Sequence, residues 1–211
     1  MENKRQWLLT TTLFISLGLA ACGSQSVLSQ ADANTQTTTT KTSTTSTTQT
    51  ASYFEASDLT ATYDESTASK ISLQGTTATV SGDGVTVNGS TVEITKAGTY
   101  IVEGTASKVQ LKVAAGKEDE VQIVFKNATL KNTEAPLLVD TAKKVILTVA
   151  DGTKNEVADE STSTVKGAIY SDSDLTINGK GSLTVTGAAS NAIKSKDGIR
   201  IVDATVTTTA K

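Results

Sequence analysis

From about residue 59 onward the chain alternates apolar and polar positions in short runs. They read Val85-Thr-Val, Val92-Glu-Ile, Tyr100-Ile-Val, Val109-Gln-Leu-Lys-Val and Val121-Gln-Ile-Val-Phe. They continue as Val145-Ile-Leu-Thr-Val, Leu175-Thr-Ile, Leu183-Thr-Val and Ile199-Arg-Ile. Each run is rich in β-branched residues and bounded by Gly, Asn, Asp or Ser, the pattern of strands separated by turns. No segment holds apolar residues at helical spacing over about eleven positions. The pattern predicts an all-β domain.

The spacing of the runs narrows this. Val121, Val145, Leu175 and Ile199 open similar strands at intervals of 24, 30 and 24 residues. Ala168-Ile-Tyr-Ser-Asp-Ser-Asp-Leu-Thr-Ile aligns with Ala192-Ile-Lys-Ser-Lys-Asp-Gly-Ile-Arg-Ile at a constant offset of 24. The longer interval contains the polar stretch Asp151 to Ser163, which reads as a loop inserted into one coil. Such a repeat, made of short strands without a helix, predicts a right-handed parallel β-helix of about 24 residues per coil. A sandwich would also space its strands regularly, but would not keep the same side-chain type 24 residues apart. In a β-helix Ile169 stacks on Ile193, Ser171 on Ser195, Leu175 on Ile199 and Ile177 on Ile201, about 4.8 Å apart. Thr176 and Arg200 then point outward. Residues 52–84 read as an N-terminal cap region and 85–211 as the coils. The sequence stops within a coil at Thr207-Thr-Thr-Ala-Lys211. The expectation is a chain truncated at its C-terminus, the alternative an edge that pairs with another molecule.

The N-terminus follows different rules. Lys4 and Arg5 precede an apolar stretch from Trp7 to Ala20, of signal-peptide rather than membrane-spanning length. Leu19-Ala20-Ala21-Cys22 resembles the lipobox of bacterial lipoproteins, and Cys22 is the one Cys of the chain. Residues 1–21 are therefore expected to be a cleaved lipoprotein signal peptide and Cys22 the lipidation site. Thr35 to Thr50 holds eleven Thr, two Ser, two Gln and one Lys. Such a segment cannot bury enough apolar surface to offset its chain entropy, so 22–51 reads as a disordered linker. The expected location is the extracellular face of the bacterial cell membrane, lipid-anchored, in a Gram-positive cell envelope.

Composition removes several chemistries. The 211 residues include no His, one Cys, 19 Lys+Arg and 22 Asp+Glu, for a net charge of −3. There is thus no imidazole base, no Ser-His-Asp triad and no thiolate–imidazole zinc site. The acidic balance offers no general attraction for nucleic acid. Aromatics make up 4% of the chain, so a core must be aliphatic.

The run Gly98-Thr-Tyr-Ile-Val-Glu-Gly104 and the stretches Val145 to Asn155, Ala168 to Gly187 and Asn191 to Gly198 resemble a bacterial family of extracellular carbohydrate-binding β-helix proteins. The resemblance covers about 59–211 and is most specific over 145–203. It implies a polysaccharide-lyase-like fold, calcium binding, and polysaccharide partners of the acidic pectin type or cellulose. It also implies several further coils. Two departures bear on calcium: the family's Lys-Asp-Asp turn is Ser-Asp-Ser-Asp174 and Ser-Lys-Asp-Gly198 here, and Asp203 stands where Gly is common.

Asp172, Asp174 and Asp197 fall in turns of adjacent coils, where carboxylates, turn carbonyls and Ser hydroxyls could assemble the six to eight oxygens that Ca²⁺ takes. They are equally ordinary turn formers, and Lys196 beside Asp172 could satisfy it without a metal. A second polar set, Asp151, Asn155 and Asp159, lies in the expected loop, with Asn155 read as a buried turn hydrogen bonder. Lys194, Lys196, Arg200 and Tyr170 are the candidates for carbohydrate contact. The function expected is a non-catalytic module that binds acidic, pectin-like polysaccharide with calcium. A surface adhesin or matrix protein is the alternative. A calcium-dependent lyase using a Lys or Arg base is the third reading.

Overall fold

The computed structural model describes residues 53–211. The expected signal peptide, Cys22 and the whole of the linker lie outside the described residues. Sixteen strands follow one another, and no helix is among the described elements. Two antiparallel hairpins come first: β1 (Ser69–Gly75) with β2 (Thr77–Ser81), and β3 (Val85–Asn88) with β4 (Thr91–Ile94). Then come β5 (Gly98–Ser107), β6 (Gln110–Ala114), β7 (Glu120–Asn132), β8 (Leu137–Thr141), β9 (Lys144–Val149) and β10 (Lys154–Asp159). The chain continues through β11 (Gly167–Ser171), β12 (Asp174–Gly179), β13 (Ser182–Gly187), β14 (Asn191–Ser195), β15 (Ile199–Val202) and β16 (Thr205–Ala210).

A ten-stranded and a six-stranded sheet result. Outside the two hairpins every pairing is parallel. The first half of β7 pairs with β9, which leads on to β12 and β15; its second half pairs with β10, which leads on to β13 and β16. The change of direction falls at Asn127, whose φ of 56° is left-handed. In the neighbouring β5, Gly104 has φ 94°, and a Cβ there would stand 2.5 Å from the Leu73 carbonyl oxygen. The six-stranded sheet runs β3, β4, β6, β8, β11, β14.

The offsets read from the sequence are the registers found. Val121 pairs with Val145, Val145 with Leu175 and Leu175 with Ile199; Ile169 pairs with Ile193 and Ser171 with Ser195. Columns of aliphatic side chains therefore stack inward, and Val121, Val145, Leu175, Ile123, Leu147 and Ile177 are all fully buried. Burying each such side chain contributes roughly 1.5–3 kcal/mol. Tyr100 and Phe125 are the large aromatic members of this core.

Two details depart from expectation. Much of the polar stretch read as an inserted loop is strand β10, with Asn155, Val157 and Asp159 turned inward. Two polar residues among its three buried positions masked its alternation. Thr176 faces outward as expected, yet it is fully buried. Residues 53–65 cross the outer face of β15, β12, β9 and β7 and cover it.

Candidate functional site

Parallel strands in register place side chains from neighbouring strands in rows, and the six-stranded sheet carries one such row on its outer face. Glu93 pairs with Lys112, Lys112 with Leu138, Leu138 with Tyr170 and Tyr170 with Lys194. Lys112, Leu138, Tyr170 and Lys194 are each half-buried and stand side by side on paired strands. The row is thus a nearly flat strip with an aromatic ring and an aliphatic side chain between two ammonium groups. Flatness follows from the strand geometry, because alternate residues stand perpendicular to the sheet.

Charges flank the strip in pairs. Lys112 Nζ lies 3.2 Å from Glu93 and 3.5 Å from Asp140. Lys196 Nζ lies 2.7 Å from Asp172 Oδ2 and 5.9 Å from the Tyr170 ring centroid, within reach of a cation–π contact. The hydrogen bond from Lys196 holds the Asp172 carboxyl below its ordinary range, and the same bond raises the Lys196 ammonium.

The sequence candidates therefore divide. Tyr170, Lys194 and Lys196 come together on this face. Arg200 does not join them: it lies on the outer face of β15, with Nη1 3.1 Å from Asp174 Oδ1 but out of hydrogen-bond alignment, and its guanidinium 5.5 Å from the Tyr53 ring. Asp172 and Asp197 occupy turns as expected, whereas Asp174 opens strand β12, and two of the three are already matched to cations. Asp197 is exposed, and its backbone N–H donates to Ser195 Oγ. Among the described residues no three or more His, Cys, Asp or Glu are grouped to hold a metal ion. Asp172 Oδ1 is nevertheless buried with no hydrogen-bond partner. As arranged, Lys196 and Arg200 are the cations set against Asp172 and Asp174. A cation would have to displace Lys196 and Arg200.

Asn155 is a buried hydrogen bonder as the sequence suggested, but from within strand β10 rather than a turn. Its Oδ1 accepts from the Ala128 N–H at 2.8 Å, and its Nδ2 donates to Thr153 Oγ1 and to the Ser182 carbonyl. Asp159 accepts from the Ala188 and Ala189 N–H groups. Both tie together segments far apart in sequence and are buried. Lys112 and Leu138 were missed in the sequence because their offsets within the row are 26 and 32 residues, and only the last step has the 24 that a fixed-period search detects.

A family model described as carbohydrate-binding domain-containing protein matches residues 88–211. A carbohydrate-binding domain-containing protein of Acetivibrio thermocellus is 34% identical over 137 residues, which cover 61% of this chain and 48% of that protein. The chain thus spans about half the length of this curated relative. A solved structure of the polysaccharide lyase-like protein from C. thermocellum, a gadolinium derivative, superposes with a TM-score of 0.65 at 31% identity. It covers 68% of this chain, which in turn spans 62% of it.

Proposed function

Because the chain belongs to the family of carbohydrate-binding domain-containing proteins, we propose that it is a non-catalytic module whose outer Lys112–Leu138–Tyr170–Lys194 row, with Lys196, binds an acidic, pectin-like polysaccharide. In this reading its rows of strands wind as a right-handed parallel β-helix, for which the in-register pairing of every coil from β5 onward speaks. It works outside the cell, held by lipid on Cys22 to the membrane's outer face, with 22–51 as the tether.

The observation that carries the binding reading is the open strip itself. A pyranose presents an apolar C–H face and a rim of oxygens. Tyr170 and Leu138 offer the matching apolar surface, while Lys194 and Lys196 offer donors to carboxylates at its edge. A cleaving role would need an unengaged base. Of the three basic residues a lyase reading could use, Lys196 and Arg200 are each held against a carboxylate, which leaves Lys194 for that role, and a binding row needs no such base.

Electrophoresis through gels containing polygalacturonate, compared with a neutral cellulose derivative, tests this. Wild type is expected to be retarded by polygalacturonate, and Tyr170→Ala/Lys194→Ala to bind about tenfold more weakly, a loss of about 1.4 kcal/mol. Equal retardation of both proteins sinks the site assignment.

Bridging by calcium is a second reading, and the unpartnered Asp172 Oδ1 favours it. Binding that vanishes in chelator and returns with Ca²⁺, but not with Mg²⁺, selects this route. Binding indifferent to chelator leaves the lysines as the anionic contact.

A further inference from the structure

The outer face of β7, β9, β12 and β15 is the most polar buried surface in the described chain. Gln122, Lys144, Thr148, Thr176 and Asn178 project from it in register, and Arg200 follows on the last strand. Residues 53–65 lie across them, and the contacts have one consistent direction. Arg200 Nε donates to the Tyr53 carbonyl at 3.2 Å, and Lys144 Nζ donates to Glu55 at 2.8 Å and Asp58 at 2.9 Å. Thr176 Oγ1 donates to Asp58, Asn178 Nδ2 to the Asp58 and Thr60 carbonyls, Gln122 Nε2 to the Thr62 carbonyl and Lys126 Nζ to Glu65. Among the described residues, every side-chain hydrogen bond between the sheet and this segment has its donor on the sheet. The segment supplies two carboxylates to one lysine, and otherwise carbonyl oxygens and one flanking glutamate.

Besides these polar contacts, the Tyr53 ring lies 5.5 Å from the Arg200 guanidinium and meets the half-buried Phe54 edge-on. Tyr53 and Leu59 are each 60% exposed. Apolar packing resumes at Tyr63, against the cluster of Ile101, Val124 and Ala150. Clefts of about 380 Å³ and 240 Å³ flank the segment. The first is bordered by Ser57, Thr60, Gln122 and Ile146, the second by Thr62, Thr148 and Lys180.

We propose that this sheet face is a second binding surface for an acidic polysaccharide, and that residues 53–62 occupy it in the free chain as an internal stand-in, hinged at Tyr63. The proposal rests on the reading that the protein binds acidic polysaccharide. The donor set defines what replaces the strap. Lys144 is 1% exposed, and lifting Asp58 and Glu55 away without a substitute would leave its ammonium buried and unpaired. The strap therefore leaves only in exchange for another anion rich in acceptor oxygens. A uronate chain supplies carboxylates for Lys144 and Arg200 and hydroxyl or ring oxygens for Thr176, Asn178 and Gln122. Being tethered, the strap competes at high effective concentration, so exchange favours a polyvalent ligand over a single sugar.

The test uses the full chain, polygalacturonate as probe, and calorimetry. Glu55→Ala/Asp58→Ala is expected to bind about tenfold more tightly than wild type. The gain should disappear when Lys144→Ala and Arg200→Ala are added, and persist when Lys194→Ala and Lys196→Ala are added instead. A folded Glu55→Ala/Asp58→Ala chain with no gain, or a gain that survives Lys144→Ala, overturns the proposal. A second measurement needs no substitution: chymotryptic cleavage between Tyr53 and Tyr63 of the wild type. Saturating polygalacturonate should accelerate it at least fivefold, and an unchanged or slower rate overturns the proposal even where the variant fails to fold. The two surfaces fail separately. Unchanged wild-type binding after Tyr170→Ala/Lys194→Ala removes the first site, whereas loss of the Lys144-dependent gain removes the second.

Discussion

Single residues carry more of this structure's specificity than its aliphatic columns do. Asp58 is fully buried, and burial alone would raise its carboxyl pKa; hydrogen bonds from Thr176 and Lys144 outweigh that and hold it below its ordinary value. Glu55 is lowered by its hydrogen bond to Lys144, and Asp172 by its bond to Lys196. A carboxyl that is more acidic folded than unfolded stabilises the fold fully above its unfolded value and loses that stabilisation as pH falls through the folded one. The melting temperature should therefore hold from about pH 7 to about pH 5 and fall progressively below about pH 4. Asp58→Asn should flatten the acid limb while lowering the plateau. An acid limb unchanged by Asp58→Asn would deny this cluster its role. The Asp172–Lys196 pair was legible from its 24-residue offset, but the Asp58 cluster was not. Asp58 and Lys144 are 86 residues apart, and no period links them. The hydrogen bonding of Asn155, by contrast, was expected from the polar stretch around it, although its place on strand β10 was not.

Legibility at the level of elements depended on whether inward positions were apolar. β12 and β15 were found from Leu175-Thr-Ile and Ile199-Arg-Ile, and their pairing follows the 24-residue offset. β10 was hidden because Asn155 and Asp159 face inward on either side of Val157. Its strand is held by its neighbours β7 and β13 more than by its own pattern. The strap at 53–65 has no element signature at all, since its order comes from the sheet beneath it. Turns between strands obey backbone sterics that sequence does reveal as Gly. Gly179 closes β12 with φ 102°, and a Cβ there would collide with the Val149 carbonyl oxygen of the adjacent coil. Gly179→Ala is therefore expected to cost more than about 1 kcal/mol, from left-handed strain and displacement of a neighbouring strand. Urea unfolding monitored by far-ultraviolet dichroism checks it. A midpoint within error of wild type would mean that the β9–β12 register yields more readily than the close approach implies.

For the whole molecule, charge sets a constraint that no single row reveals. The chain carries a net charge of −3, so an acidic polysaccharide is repelled at long range and, on the open face, attracted where Lys166, Lys194 and Lys196 lie near Tyr170 and Asp172. The two effects have different ranges. At about 0.01 M salt the Debye length is about 30 Å, long enough for the whole chain's charge to act; at about 0.1 M it is about 10 Å, and only the local lysines are felt. At about 1 M it is about 3 Å, and exposed pairs are screened too. Polygalacturonate affinity should therefore be flat or rise slightly from about 0.01 to about 0.1 M salt and fall clearly toward about 1 M. A protein with a uniformly basic face would lose affinity steadily from the lowest salt. A steady loss here would mean that the binding surface is larger and more cationic than the Tyr170 row. Affinity independent of salt throughout would point instead to a neutral sugar held by hydrogen bonds and the Tyr170 ring, and would remove uronic acid from the assignment. The same titration on Glu55→Ala/Asp58→Ala removes two negative charges and opens Lys144 and Arg200. Its low-salt plateau should shift toward the steady decline of a cationic face, linking the molecule's overall charge to the surface beneath its N-terminal strap.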